Sequence, residues 1–345
     1  SWNELLGFWV SDHLMTIKRR TNGRTKHIST REKHLWYKGT VHNGLRKYND
    51  YVAARGIYYP ICYANVWVWE NGKNAGSTPM LYRYPQMATF SQIAGIGEAN
   101  LWEVLTSVIA GIGIKLLPPW LRPDQIYSGL KNQKVGHTAN SARIEQLVWH
   151  ESAHYSHARK TGAWFWAELF ASELVNSIHH GNPYLDGSEP TYQAGKRIAL
   201  AEGWATFLEF KAVEHHYGKA WTRNQWQNNP TDYMEDFDMY TVPMTVPRFD
   251  NRSWFLTGLI WDILDNKIDK TAERKNGRTG DEINPIRDNL YLGNNFSFST
   301  IFNLLNGNVE SLCALRSRLI SSYPNDITQI NQLFNSYGSC ILPRD

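Results

Sequence analysis

Apolar positions recur with a helical period over most of the second half of the chain. Ile144, Leu147 and Val148 stand at i, i+3 and i+4, which predicts a helix over residues 141–159. Gly162 to Ile178 reads as a second helix, closed by His179-His180-Gly181, and Tyr192 to Tyr217 as a third. Leu259, Ile260 and Ile263 lay a buried stripe along a fourth, Trp254 to Ile268. The chain from there through Asp345 reads as a polar loop and then two or three short helices. Residues 1–95 have a different rhythm. Leu14 to Arg20 and His34 to Val41 carry basic and aromatic residues between Gly and Asn turns. Gly56 to Glu70 is the richest in β formers, with Trp67 and Trp69 on one face ahead of the Asn71-Gly72 turn. Gln125 to Leu130 reads as one more short strand, just ahead of the 141–159 helix. The pattern predicts an α+β protein, with a β-rich N-terminal region over 1–95 and a mainly helical part over 96–345.

One stretch of this pattern carries chemistry. His150-Glu151-Ser152-Ala153-His154 places two imidazoles one turn apart on one helix face, the spacing that holds a single zinc ion. Glu151, beside the first histidine, is the residue type that takes a proton from water at such a site. A catalytic zinc wants a third protein ligand and one open position. The form with a third histidine six residues on is excluded, because that position is Lys160. Two glutamates compete instead. Glu202 is followed closely by Gly203 and Ala205, whose lack of bulk lets its helix approach the HExxH helix. Glu173 lies in an aromatic stretch ahead of Leu174 and Val175 and reads more readily as a helix residue at the edge of a core. Glu202 is therefore the favoured ligand and Glu173 the rival. Asp262 and Asp265, on the fourth predicted helix, are candidates for a carboxylate that orients a ligand histidine. His215 and His216 lie more than three turns beyond Glu202, too far along the helix to join it.

The segments HESAHYSH, AEGWATF and GLIWDILDN together resemble gluzincin-type zinc metallopeptidases. More narrowly they are similar to secreted or surface members from Bacteroidetes-type bacteria, which carry HELAHASH-like, EGWATF-like and LWDxxD-like helices. The resemblance covers roughly residues 120–270. It implies a zincin-like metallopeptidase fold, a Zn2+ cofactor, His150, His154 and Glu202 as ligands, Glu151 as base, and a peptide or protein substrate. It also implies that the Gln125–Leu130 strand is a sheet edge on which extended substrate pairs. The aminopeptidase-type spacing of that group lands on Glu173, whereas the EG motif itself falls at Glu202.

Composition narrows the function further. A net charge of +4, without a long basic run, gives no footing for nucleic acid. The longest apolar run, Val104 to Leu117, is interrupted and ends at Pro118-Pro119, too short to span a bilayer. The chain opens at Ser1 with no charged segment leading into an apolar core, so a signal peptide is expected to have been removed or to lie outside this sequence. The expectation is a secreted or cell-surface zinc peptidase. Three cysteines, none in a CxxC pair, leave a Cys313–Cys340 disulfide and three reduced thiols as equal readings. Fifteen tryptophans suggest an alternative. On that reading the protein is a non-catalytic surface module that binds glycan or peptide through its aromatic N-terminal part, with zinc as a structural staple. A peptidase-like fold that has lost its activity is a third reading.

Overall fold

The structure is a computed structural model that describes residues 14–18, 33–58, 63–68, 70, 76–79, 125–135, 138–162, 164–166, 168–169, 193–225, 256–264 and 296–336. Strand β1 (Leu14–Lys18) is followed by helix α1 (Lys33–Ala53), strands β2 (Tyr63–Val68), β3 (Gly76–Pro79) and β4 (Gln125–Ser128), and a small hairpin of β5 (Lys134–Val135) and β6 (Thr138–Ala139). Then come helices α2 (Ser141–Thr161), α3 (Gln193–Gln225), α4 (Leu256–Leu264), α5 (Phe298–Leu304), α6 (Leu312–Ser322) and α7 (Ile327–Ser336). Residues 164–166 and 168–169 are also helical.

Helix dominates the described residues, and this corrects the fold expected from sequence. The α+β, zincin-like description with a β-rich N-terminal part does not hold. The longest described element of residues 1–95 is α1, a 21-residue helix running straight through the predicted His34–Val41 strand. Its physical basis is a helical stripe: Tyr37, Val41, Leu45, Tyr48 and Val52 follow one another at three- and four-residue steps and all are buried. The β structure is limited to strands of four to six residues and the short hairpin. The four strands are ordered β1-β2-β4-β3. β1 runs antiparallel to β2 with Leu14 opposite Trp67, β2 runs parallel to β4, and β3 runs antiparallel to β4. This sheet takes strands from both sides of residue 95, and α1 packs on α2 across the same boundary.

β4 does not have the place expected of it. Gln125–Ser128 is a strand, but it is paired on both sides, so it is not a sheet edge. Its Gln125 side chain is fully buried and donates to the backbone carbonyl of Glu151 at 3.4 Å, while Tyr127 Oη donates to Gln125 Oε1 at 2.9 Å. The strand buttresses α2. Trp67, on β2, is buried in the sheet and not displayed to a ligand; Trp69 lies outside the described residues.

Helix α2 is held at both ends and along its length. Asn140 caps its start, its side-chain oxygen accepting from the Ala142 and Arg143 amides at 2.9 and 3.3 Å. Gly162, at φ 87°, closes the other end in a backbone conformation that favours glycine. Gly44 lets α1 come close: a Cβ there would lie 3.1 Å from Val148 Cγ1, and the Gly44 carbonyl accepts from Trp149 Nε1 at 3.0 Å. The buried Glu145 carboxylate ties three helices, accepting from Asn43 Nδ2 at 2.6 Å, from Lys47 Nζ at 2.7 Å, and from Tyr217 Oη. Tyr217 is where the regular part of α3 stops, since Gly218 (φ 77°) breaks it, as the predicted Tyr192–Tyr217 helix requires.

The core runs through α1, β2, α2, α3, α4 and the C-terminal helices. Trp149, Trp166, Trp204 and Trp261 are its largest side chains, so these aromatics serve packing. α2 and α3 form the most extensive pair among the described elements. Ser152, Ala153 and Ser156 on α2 and Ala201, Ala205 and Ala212 on α3 are all fully buried, and their small size allows the close approach. α4 packs on the far side of α3, with Leu259, Ile260 and Ile263 inward as their spacing predicts. Among the described residues no helix is long and apolar enough to cross a membrane.

Candidate metal centre

The α2–α3 contact brings three donor atoms to one point. His150 Nε2 and His154 Nε2, one turn apart on α2, lie 3.1 Å from each other. Glu202 Oε2, from α3, lies 3.1 Å from the first and 3.2 Å from the second. The two rings stand nearly perpendicular, at 84°, as two imidazoles aimed at a common centre do. The group is largely closed off: side-chain exposure is 17% for His150, 6% for His154 and 8% for Glu202. Trp166 seals one side, its ring 5.4 Å from that of His154. Glu151 is buried beside this group, close enough for its carboxyl to feel the charges of His150, His154 and Glu202, and its carboxylate has no hydrogen bond among the described residues.

Sequence reasoning missed one residue here. Glu209 follows Glu202 by about two turns on the same face of α3. Its Oε2 lies 2.9 Å from His150 Nδ1, and its Oε1 accepts from Gln146 Nε2. The signal was legible, because a second glutamate at i+7 shares the face of the first. Of the other predicted residues, Glu173 and Asp265 lie outside the described residues. Asp262 is on α4, but its side chain also falls outside them. His154 Nδ1 is buried with no acceptor among the described residues. His215 and His216 pack against one another and against Tyr51, away from the ligand group, as their spacing implies.

The imidazoles and carboxylates of the group shift one another's protonation. Burial alone would depress the His150 imidazole, but the Glu202 and Glu209 carboxylates outweigh it and hold it well above the usual range. Burial would raise the Glu202 carboxyl, but His154 and His150 beside it hold it well below the usual carboxylate range. For Glu151 burial dominates and pushes its carboxyl up, against the pull of the two histidines. A raised carboxyl in such a site suits a group that accepts and returns a proton.

The donor set fits a zinc ion. Tetrahedral ligands at the usual zinc distances lie about 3.3 Å apart, close to the 3.1–3.2 Å spacing here. With Glu209 accepting from His150 Nδ1, the Nε2 lone pair of that ring faces a carboxylate oxygen and a second imidazole nitrogen. Three acceptors pointed at one spot repel unless a cation or an extra proton sits among them. Two nitrogens and one oxygen are the ligand types zinc takes in hydrolytic sites, and three protein donors leave a position open. No family model, characterised protein or solved structure matches the chain in comparisons with each.

Near this group sits a second buried histidine with a different consequence. His157, one turn past His154, is fully buried against Phe165 and Trp166. Neither ring nitrogen has a partner among the described residues. Burial first, and the nearby His154 second, push its pKa from 6.5 down to about 3. Below its ordinary value the unfolded chain takes up a proton that the folded protein refuses. The contribution of His157 to stability is therefore complete above that value and drains as pH falls toward the folded pKa. From pH 7 to pH 5 the loss is about 2 kcal/mol. Urea unfolding of metal-free protein should show wild type losing about that much more than His157→Leu over the same interval. Parallel pH curves for the two would contradict it.

Proposed function

We propose that the protein is a zinc-dependent peptidase, with His150, His154 and Glu202 holding the metal and Glu151 as general base. The observation that carries the reading is the convergence of two histidine nitrogens and one glutamate oxygen, drawn from an HExxH helix and a later helix, within hydrogen-bond distance of one another. When bound, zinc supplies a Lewis acid that makes water nucleophilic at neutral pH and polarises the scissile carbonyl. His150 and His154 offer their Nε2 lone pairs, and Glu202 adds a negative charge that helps offset the cation. Glu151 takes a proton from the attacking water on its carboxylate and passes it to the leaving amine nitrogen. Trp166, against His154, and the α2–α3 core keep bulk water from the buried carboxylates.

A structural zinc is closed by four protein ligands, whereas three are gathered here among the described residues. That favours hydrolysis over a binding module stapled by zinc. So does Trp67, which is packed in the core. A secreted or cell-surface location belongs to the same proposal. It is supported by a disulfide at Cys313, whose partner cysteine lies outside the described residues. The test is metal removal. After stripping with a chelator, cleavage of quenched-fluorescent peptides should vanish, and one equivalent of zinc should restore it. Cleavage that survives complete metal removal, or zinc-loaded protein that cleaves neither peptides nor unfolded protein, overturns the proposal.

A further inference from the structure

We infer that Glu209 is a positioning residue: it fixes the His150 tautomer that exposes Nε2 to the metal, with Gln146 holding Glu209 in place. The inference rests on the metal reading above and adds to it the group that prepares one ligand. His150 Nδ1 lies 2.9 Å from Glu209 Oε2. A carboxylate only accepts, so this contact keeps a proton on Nδ1, and Nε2 is then the nitrogen that gives up its proton to offer a lone pair to a metal. Nε2 is the atom that meets His154 and Glu202. With the opposite tautomer, two lone pairs would oppose each other at Nδ1 and a proton would occupy the ligand position.

The other carboxylate oxygen of Glu209 accepts from Gln146 Nε2. Gln146 stands one turn before His150 on α2, and Glu209 two turns after Glu202 on α3. The carboxylate thus spans the two helices that provide the ligands and grips α2 at two successive turns. Its side chain is 12% exposed, so water competes weakly for it. A carboxylate behind a ligand imidazole also makes that ring a stronger donor to the metal. Glu209 is not one of the three donors of the centre and acts through His150.

The full chain, stripped of metal, is titrated with zinc against a chromogenic chelator, as wild type, Glu209→Ala and Glu209→Gln. The expected result is zinc affinity about 10- to 100-fold weaker in Glu209→Ala. Glu209→Gln keeps an acceptor for Nδ1–H but lacks the charge, and should recover most of the loss, to within about tenfold of wild type. Nitrogen-15 spectra of the zinc-loaded, histidine-labelled protein should show His150 bound through Nε2 with its proton on Nδ1 in wild type and Glu209→Gln, with that preference lost in Glu209→Ala. Melting of the metal-free proteins separates a tie between helices from a role in ligand preparation. A lower midpoint with unchanged zinc affinity and an unchanged tautomer overturns the inference. Should Glu209→Ala fail to fold, Glu209→Met decides, since it keeps the length of the side chain but offers Nδ1–H no acceptor: affinity equal to wild type overturns the inference. Wild type that takes up no zinc sinks the metal reading itself, an outcome separate from wild type and variants binding alike, which sinks only the role of Glu209.

Discussion

Glu151→Gln is expected to retain zinc at wild-type affinity and to lose turnover by at least about 10²- to 10⁴-fold, the usual worth of a positioned general base. The substitution keeps the shape and buried volume of the side chain but leaves an amide that cannot take a proton. The metal ligands are untouched, because Glu151 lies next to His150 in sequence but is not part of the three-atom group. Fold is expected to persist: the carboxylate has no hydrogen bond among the described residues, so nothing described is left unpaired. The raised carboxyl at this position also means that the wild-type group passes through its protonated form at little cost, as a proton carrier must. The check is kcat on a peptide substrate beside metal content measured on the same sample. Turnover within a few-fold of wild type removes Glu151 as the base.

The second large effect concerns the third ligand. Glu202→Ala should leave protein that purifies with far less than one zinc per chain and shows no hydrolysis, whereas Glu173→Ala should keep its metal. The reason is geometric. Glu202 Oε2 is within 3.2 Å of both histidine nitrogens, and its carboxyl is held ionised by them. Removing it leaves the two imidazoles alone, and a cation bound by them lacks both a third donor and the charge of that carboxylate. Metal analysis of the two variants side by side decides between them. Zinc lost from Glu173→Ala and kept in Glu202→Ala would exchange their roles.

The centre was more legible in the sequence than the fold around it. HExxH is read from a helical period that depends only on local spacing, and α2 forms where Ile144, Leu147 and Val148 predict it. Glu202 was favoured over Glu173 because Gly203 and Ala205 permit a close helix pair, and its helix does pack on α2. Glu209 was missed although its position at i+7 puts it on the same face. Asp262 and Asp265, on another helix, are the carboxylates that the sequence reading assigns to that place. The N-terminal region was misread for a different reason. The stretch His34–Val41 has aromatic and β-branched residues of strand type and is followed by Asn43-Gly44, a dipeptide of turn type. Tertiary packing overrode those preferences, because the stripe from Tyr37 to Val52 buries against α2, where Gly44 serves close approach and not a turn. The misplacement of β4 is a limit of another kind. A strand can be recognised from its own residues, but whether it lies at an edge depends on partners far away, here Tyr63–Val68 and Gly76–Pro79. Cysteine pairing is equally non-local, and only the structure shows Cys313 in a disulfide.

The most direct test of the central claim is X-ray absorption at the zinc edge on reconstituted protein, with the stoichiometry measured on the same sample. The account predicts one zinc per chain, two imidazole nitrogens and light oxygen donors at about 2.0–2.1 Å, and no sulfur, with the imidazole signal halved in His154→Ala. A chain that binds no zinc, or a spectrum with thiolate ligands or one unchanged by that substitution, would contradict it.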